Sequence, residues 1–130
     1  MANVLIVEDD VALRDTVRDL LTARRHNVAA VGKGAQALAI LRVVRVPTVV
    51  LLDVRLPDST GLDVLRRVVA DPSITEQLAF VLMTAYPQMV PPLTGAEAAD
   101  LMRIAVPVVS KPFKSAVLLT HIEKAACALT

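Results

Sequence analysis

The chain has 130 residues, 55% of them hydrophobic, and a net charge of +1. That length makes one domain rather than two, with room for a dense aliphatic core. Aromatics at 2%, and basic residues that never run beyond a pair such as Arg24-Arg25 or Arg66-Arg67, exclude a base-stacking platform and a basic nucleic-acid-binding face; no apolar run reaches the length of a membrane span.

The apolar run Val4-Leu5-Ile6-Val7 ends in three acids, Glu8, Asp9 and Asp10, and reads as a strand buried on both faces. Residues 11–24 carry a helical stripe at Leu13, Val17, Leu20 and Leu21, with Asp10 as the N-cap. A short strand is expected over 28–31 and a second helix over 34–42. Pro47 opens a third strand, 48–53, whose unbroken apolar run ends on Asp53, and Pro57 and Gly61 punctuate the loop after it. Leu62, Leu65, Val68 and Val69 predict a third helix, ended by Asp71-Pro72.

A fourth strand over 79–83 closes on Thr84. Three prolines between residues 86 and 93 predict a loop, and the capping-box pattern from Thr94 to Glu97 predicts a fourth helix to about residue 104. Residues 106–110 read as the fifth strand and 115–129 as the last helix, on which Cys127 is expected to be buried or half-buried. A lone cysteine has no internal disulfide partner, and with no secretion signal the chain reads as cytoplasmic.

Strands alternating with helices predict an α/β fold, a doubly wound five-stranded parallel sheet covered on both faces. Sites in such sheets lie past the carboxyl ends of the strands. The polar residues collect there: Glu8, Asp9 and Asp10 after the first strand, Asp53 after the third, Thr84 after the fourth and Lys111 after the fifth.

Converging carboxylates repel one another unless a cation, a lysine or a proton joins them. Lys111 supplies one charge, and an all-oxygen set suits Mg²⁺; no His/Cys set for zinc is present. A carboxylate can itself be the nucleophile that forms an aspartyl phosphate, given a metal, a cation on the phosphoryl oxygens and a hydroxyl. Asp53, Mg²⁺ on Glu8 and Asp9, Lys111 and Thr84 meet that requirement.

The blocks VLIVEDD, LLDVRLPDSTGLDVL, VLMTA and VVSKPF resemble, in order, the four motifs of response-regulator receiver domains of two-component signalling, and they span the chain from first strand to last helix. The resemblance implies the flavodoxin-like strand order 2-1-3-4-5. It implies Asp53 as phosphoacceptor, Mg²⁺ bound by Asp9, Asp53 and the backbone carbonyl of Arg55, with Glu8 acting largely through water. Thr84 would be the switch hydroxyl, Lys111 the phosphate-binding lysine, and the Lys111-Pro112 peptide cis. The implied partners are a sensor histidine kinase or histidine phosphotransfer protein and a downstream protein met near the fourth helix, with a homodimer among the allowed assemblies. One receiver domain over residues 1–130, with no output domain, is expected.

Two departures stand out. The position three before Lys111, usually aromatic in the family, is Val108; Tyr86 is the nearest candidate to replace that reporter. The interval from Thr84 to Lys111 is longer than usual and proline-rich, so the signal is expected to leave through residues 85–93. Other classes fit less well. A haloacid-dehalogenase-like phosphatase needs a second aspartate where Arg55 stands, and a flavin or nucleotide site needs a phosphate loop where Glu8-Asp9-Asp10 would repel phosphate. The alternative within the family is a degenerate receiver acting as an unphosphorylated interaction module. On the leading reading the protein is not an enzyme, its chemistry being confined to gain and loss of phosphate at Asp53.

Overall fold

The computed structural model describes residues 2–85 and 106–129. In chain order the elements are β1 (Asn3–Val7), α1 (Val11–Ala23), β2 (Asn27–Val31), α2 (Gly34–Leu41), β3 (Thr48–Asp53), α3 (Gly61–Val69), the short α4 (Pro72–Thr75), β4 (Leu78–Thr84), β5 (Val108–Ser110) and α5 (Ser115–Ala128). The five strands form one parallel sheet in the order β2-β1-β3-β4-β5.

Side chains alternate across a strand, so a strand buried on both faces feeds two cores. Leu5 and Val7 of β1 with Val50 and Leu52 of β3 pack under α2 and α3. Val4 and Ile6 with Val49 and Leu51 pack under α1 and α5. Every residue of β3 is buried, which explains why its sequence is an apolar run rather than an alternation.

Local signals start α1 and α3 where the sequence placed them. Asp10 caps α1 by accepting the Leu13 N–H at 3.2 Å, and Thr60 caps α3 by accepting the Asp63 N–H at 3.1 Å. The Asp71-Pro72 pair does more than end α3. Asp71 caps the first turn of α4 and Pro72 occupies its start, so one dipeptide serves as a stop and a start signal. Cys127, expected at least half-buried, is exposed on α5, which buries Leu118, Leu119 and Ile122 instead. The predicted loop over 86–93 and helix over 94–104 lie outside the described residues, as does Tyr86.

Candidate functional site

The strand order brings the site together. Its direction reverses between β1 and β3, which lie side by side with Val7 opposite Leu52. Glu8 and Asp53, one step further along each strand, therefore meet at the sheet's carboxyl edge. Asp53 pairs with Met83 on β4, and Thr84 pairs with Ser110 on β5, so Thr84 and Lys111 complete the same edge. Together with Asp9, Asp10, Arg55 and Ala85 they line an open cleft of about 360 Å³.

Lys111 Nζ donates to Asp53 Oδ2 at 2.6 Å and to Glu8 Oε2 at 2.8 Å. Asp53 Oδ1 accepts the Arg55 N–H at 2.9 Å, and Glu8 Oε1 accepts the Asp10 N–H at 3.1 Å. Glu8 is 1% exposed, Asp53 5% and Thr84 4%, whereas Asp9 is exposed at the mouth. Burial, reinforced by Asp53 beside it and only partly offset by Lys111, pushes the Glu8 carboxyl from 4.5 up to about 7. Burial pulls the Lys111 ammonium down, but its hydrogen bonds to Asp53 and Glu8 outweigh that and leave its pKa raised.

Carboxylate oxygens from Glu8, Asp9 and Asp53 come within 4.8 Å of one another. A hard, acid-lined, solvent-open cluster of this size fits a divalent cation of the Mg²⁺ type, which keeps several of its waters. Glu8 and Asp53 each have one oxygen bonded to Lys111 and the other to a backbone N–H, whereas Asp9 lies exposed at the mouth and is the most accessible donor of the three.

The remaining predicted residues fall as follows. The Lys111-Pro112 peptide is cis. Val108, the first residue of β5, pairs with Leu82 of β4, is 40% exposed, and does not line the cleft. Asp10 serves as the α1 cap. His26 accepts the Ala2 N–H at 3.0 Å beside the amino end of β1, at the sheet's opposite edge.

Three residues support the site in ways not assigned from sequence. Arg14 donates its guanidinium to the Glu8 carbonyl at 3.3 Å. Gly61, noted only as a turn residue, lets α3 start against the backbone of Asp53: a Cβ there would collide with the Asp53 carbonyl oxygen. Asp58 caps α2. The one trace of Asp58 in the sequence is indirect: α2 begins at Lys33-Gly34 with no side-chain acceptor of its own, which calls for an acceptor from elsewhere without naming it.

A buried carboxylate held by a lysine in an acid-lined cleft, at the switch point of a 2-1-3-4-5 sheet, is the arrangement of a receiver-like domain on a flavodoxin-like fold. The family model for the response regulator receiver domain matches residues 4–123, and the chain belongs to that family, the receiver module of two-component systems.

Among curated relatives, the transcriptional regulatory protein AfsQ1 of Streptomyces coelicolor is 36% identical over 98 residues, covering 75% of this chain and 41% of its own. The DNA-binding response regulator MtrA of Mycolicibacterium smegmatis is 34% identical over 119 residues, covering 92% and 48%. The chain thus spans about half the length of these relatives, or less. A CheY-like receiver domain from Methanospirillum hungatei superposes with a TM-score of 0.80 at 24% identity, covering 98% of this chain and 96% of that one. The receiver domain of the sensor histidine kinase PA1611 from Pseudomonas aeruginosa, solved with magnesium in its active-site cleft, gives 0.77 at 21% identity, covering 97% and 98%. Receiver domains bind Mg²⁺ in their acidic pocket, and those of response regulators interact with histidine kinases. No helix among the described residues is long and apolar enough to cross a membrane.

Proposed function

We propose that this domain is a phosphorylation switch in which Asp53 accepts a phosphoryl group from a phosphohistidine of a sensor kinase or phosphotransfer protein. The observation that carries the reading is the position of Lys111 Nζ, bonded at once to Asp53 and Glu8 inside an acid-lined cleft open to solvent.

The chain's own groups divide the work. A lone pair on the Asp53 carboxylate attacks phosphorus, an O–P bond forms, and the N–P bond to the donor imidazole breaks with its electron pair returning to the imidazole. The Arg55 N–H fixes the carboxylate plane through Oδ1, which leaves the attack little orientational freedom to lose. Lys111 already points at Asp53 and can follow the charge from carboxylate to phosphoryl oxygens. Thr84, on the cleft wall, would supply the hydroxyl that meets the phosphoryl group. Mg²⁺, held by Asp9, Asp53 and the Arg55 carbonyl, would neutralise charge on the phosphoryl oxygens. The product is the modified domain itself, so the protein acts as a switch whose contacts change and not as an enzyme with a separate product.

The test is incubation with acetyl phosphate and Mg²⁺, read by intact mass and peptide mapping. Wild-type protein is expected to gain one phosphoryl group on Asp53, and Asp53→Asn none. Labelling of the Asn variant at another residue overturns the assignment. A wild-type protein that never labels, with either acetyl phosphate or a phosphohistidine donor, makes it an unphosphorylated interaction module.

A further inference from the structure

We propose that Asp58 is a positioning residue for the metal site: by capping α2 it fixes the β3–α3 loop and, through that loop, the Arg55 carbonyl. This role rests on the Mg²⁺ reading above.

The β3–α3 loop is a compact unit. Arg55 and Thr60 form an antiparallel bridge, Leu56 N–H donates to the Ser59 carbonyl at 3.1 Å, and Gly61 N–H donates to the Val54 carbonyl at 2.8 Å. A loop closed on itself in this way moves as a piece. Arg55 stands at its base, in the cleft, and Asp58 at its tip.

The tip is tied to a different element. Asp58 Oδ1 accepts the Gly34 N–H at 2.9 Å and Oδ2 accepts the Ala35 N–H at 3.0 Å, so both carboxylate oxygens hold the first turn of α2. Those two bonds, Ala35 first, hold the Asp58 carboxyl below its ordinary value. The usual N-cap is the residue just before the helix; Lys33, which stands there, makes no such bond, and Asp58 reaches across 24 positions to replace it. The approach is close enough that a Cβ on Gly34 would collide with Ser59 Oγ, so the loop and the helix start were fitted to each other.

The other end of this contact touches the opposite wall of the cleft. The Glu8 N–H donates to the Val31 carbonyl at 3.0 Å, where the β2–α2 connection begins, and a Cβ on the next residue, Gly32, would press on the Arg14 guanidinium that in turn donates to the Glu8 carbonyl. The β2–α2 connection therefore spans from the acid turn after β1 to the β3–α3 loop, and Asp58 fastens its far end. Two carboxylate donors and a carbonyl donor, one from the turn after β1 and two from the end of β3 and its loop, can meet one cation only if the spacing of those two segments is kept, and this fastening keeps it. By reciprocity, a cation that orders the loop must also protect the start of α2.

The experiment compares Asp58→Ala and Asp58→Asn with Asp71→Ala, which removes the equivalent cap of α4 away from the cleft. Mg²⁺ binding is measured by calorimetry, and amide exchange is followed in metal-free protein. Asp58→Ala is expected to weaken Mg²⁺ about tenfold, the low end for loss of an outer-sphere partner, and Asp58→Asn less; Asp71→Ala leaves affinity unchanged. Without metal, Asp58→Ala is expected to speed exchange at Leu56 and Gly61 as well as at Gly34 and Ala35. Unchanged affinity, or faster exchange confined to Gly34 and Ala35, overturns the role while wild-type binding upholds the metal reading. Wild-type protein that takes up no Mg²⁺ overturns the metal reading and this role together. Should Asp58→Ala not fold, Asp58→Asn, which keeps one strong acceptor, carries the same comparison.

Discussion

Lys111 Nζ sits 2.6 Å from Asp53 Oδ2 although 58 positions separate the two residues in sequence, and the same ammonium is 2.8 Å from Glu8 Oε2. One lysine thus serves two carboxylates that are 1% and 7% exposed at the side chain, which leaves the trio one charge short of neutral until Glu8 holds a proton. Removing one member of a buried ion pair leaves the rest uncompensated, which is far costlier than never having built the pair.

From this follows the first prediction. Metal-free Lys111→Met is expected to lose roughly 2–3 kcal/mol of stability at pH 8, the range for a broken buried pair with some exposure. At pH 5.5 the loss should shrink, because Glu8 then holds a proton in both proteins and only Asp53 is left without its cation. Urea melts at the two pH values check this; a loss equal at both would show that packing of the lysine stem, and not charge, is what the variant removes.

Glu8 itself gives a pH dependence of defined sign. In the folded protein its carboxyl titrates at about 7, and in the unfolded chain near 4.5. Between those values the folded state holds a proton that the unfolded state has released. Stability therefore falls as pH rises from 4.5 to about 7 and levels off above. Glu8→Gln removes this titration, so without metal its melting temperature relative to wild type should climb across that window. Parallel melting curves for the two proteins would mean that the raised value does not exist.

Gly61 supplies a stability prediction at the backbone. Its N–H bonds to the Val54 carbonyl at 2.8 Å, and any Cβ would press on the Asp53 carbonyl oxygen, a backbone atom that cannot swing aside. Gly61→Ala is expected to cost about 1–3 kcal/mol, as overpacking does, and to slow labelling of Asp53 by shifting its carboxylate. Denaturant titration and the acetyl phosphate time course check both. A neutral change in each would mean that α3 can retreat freely from β3.

How much of this was legible in the sequence depends on the range of the interaction. Apolar runs such as Val4-Leu5-Ile6-Val7 and 48–52 announced strands buried on both faces, and a family resemblance carried the strand order; together they put Glu8, Asp53, Thr84 and Lys111 on one edge. Asp10 and Thr60 act within three residues of themselves, so local pattern sufficed for the Asp10 cap, and the start of α3 was placed within a residue. Asp58 and Arg14 act on backbone brought in by the tertiary fold, which no local pattern encodes. Asp71 was read only as a stop because a proline one residue on satisfies a stop and a start equally. Cys127 was misplaced because its helix is apolar nearly all round at its end, so periodicity could not say which side faces water.

The last prediction concerns Val108, which stands where the family usually carries an aromatic ring. Its neighbour Val109 is 3% exposed and Val108 is 40% exposed, so the strand turns Val108 away from the core. A β-branched side chain in a strand has few rotamers to exchange and is too short to swing into a vacated space. A different connection joins Thr84 to the next element: the Lys111 N–H donates to the Thr84 carbonyl at 2.7 Å, so the backbone at the end of β4 is tied to the residue that also holds Asp53. Ala85, next in the chain, lines both the acid cleft and an apolar cleft of about 650 Å³ between α1 and the β5–α5 connection, so a shift at Thr84 reaches both. Val108→Ala is therefore expected to change stability by less than about 0.5 kcal/mol, as exposed substitutions do. Adding beryllofluoride, a phosphoryl mimic, should alter amide exchange at Thr84, Ala85 and Lys111 equally in wild type and Val108→Ala. If the alanine variant loses those changes while still binding the mimic, Val108 transmits the signal after all, and the route through the Thr84 carbonyl and the Lys111 amide is the wrong one.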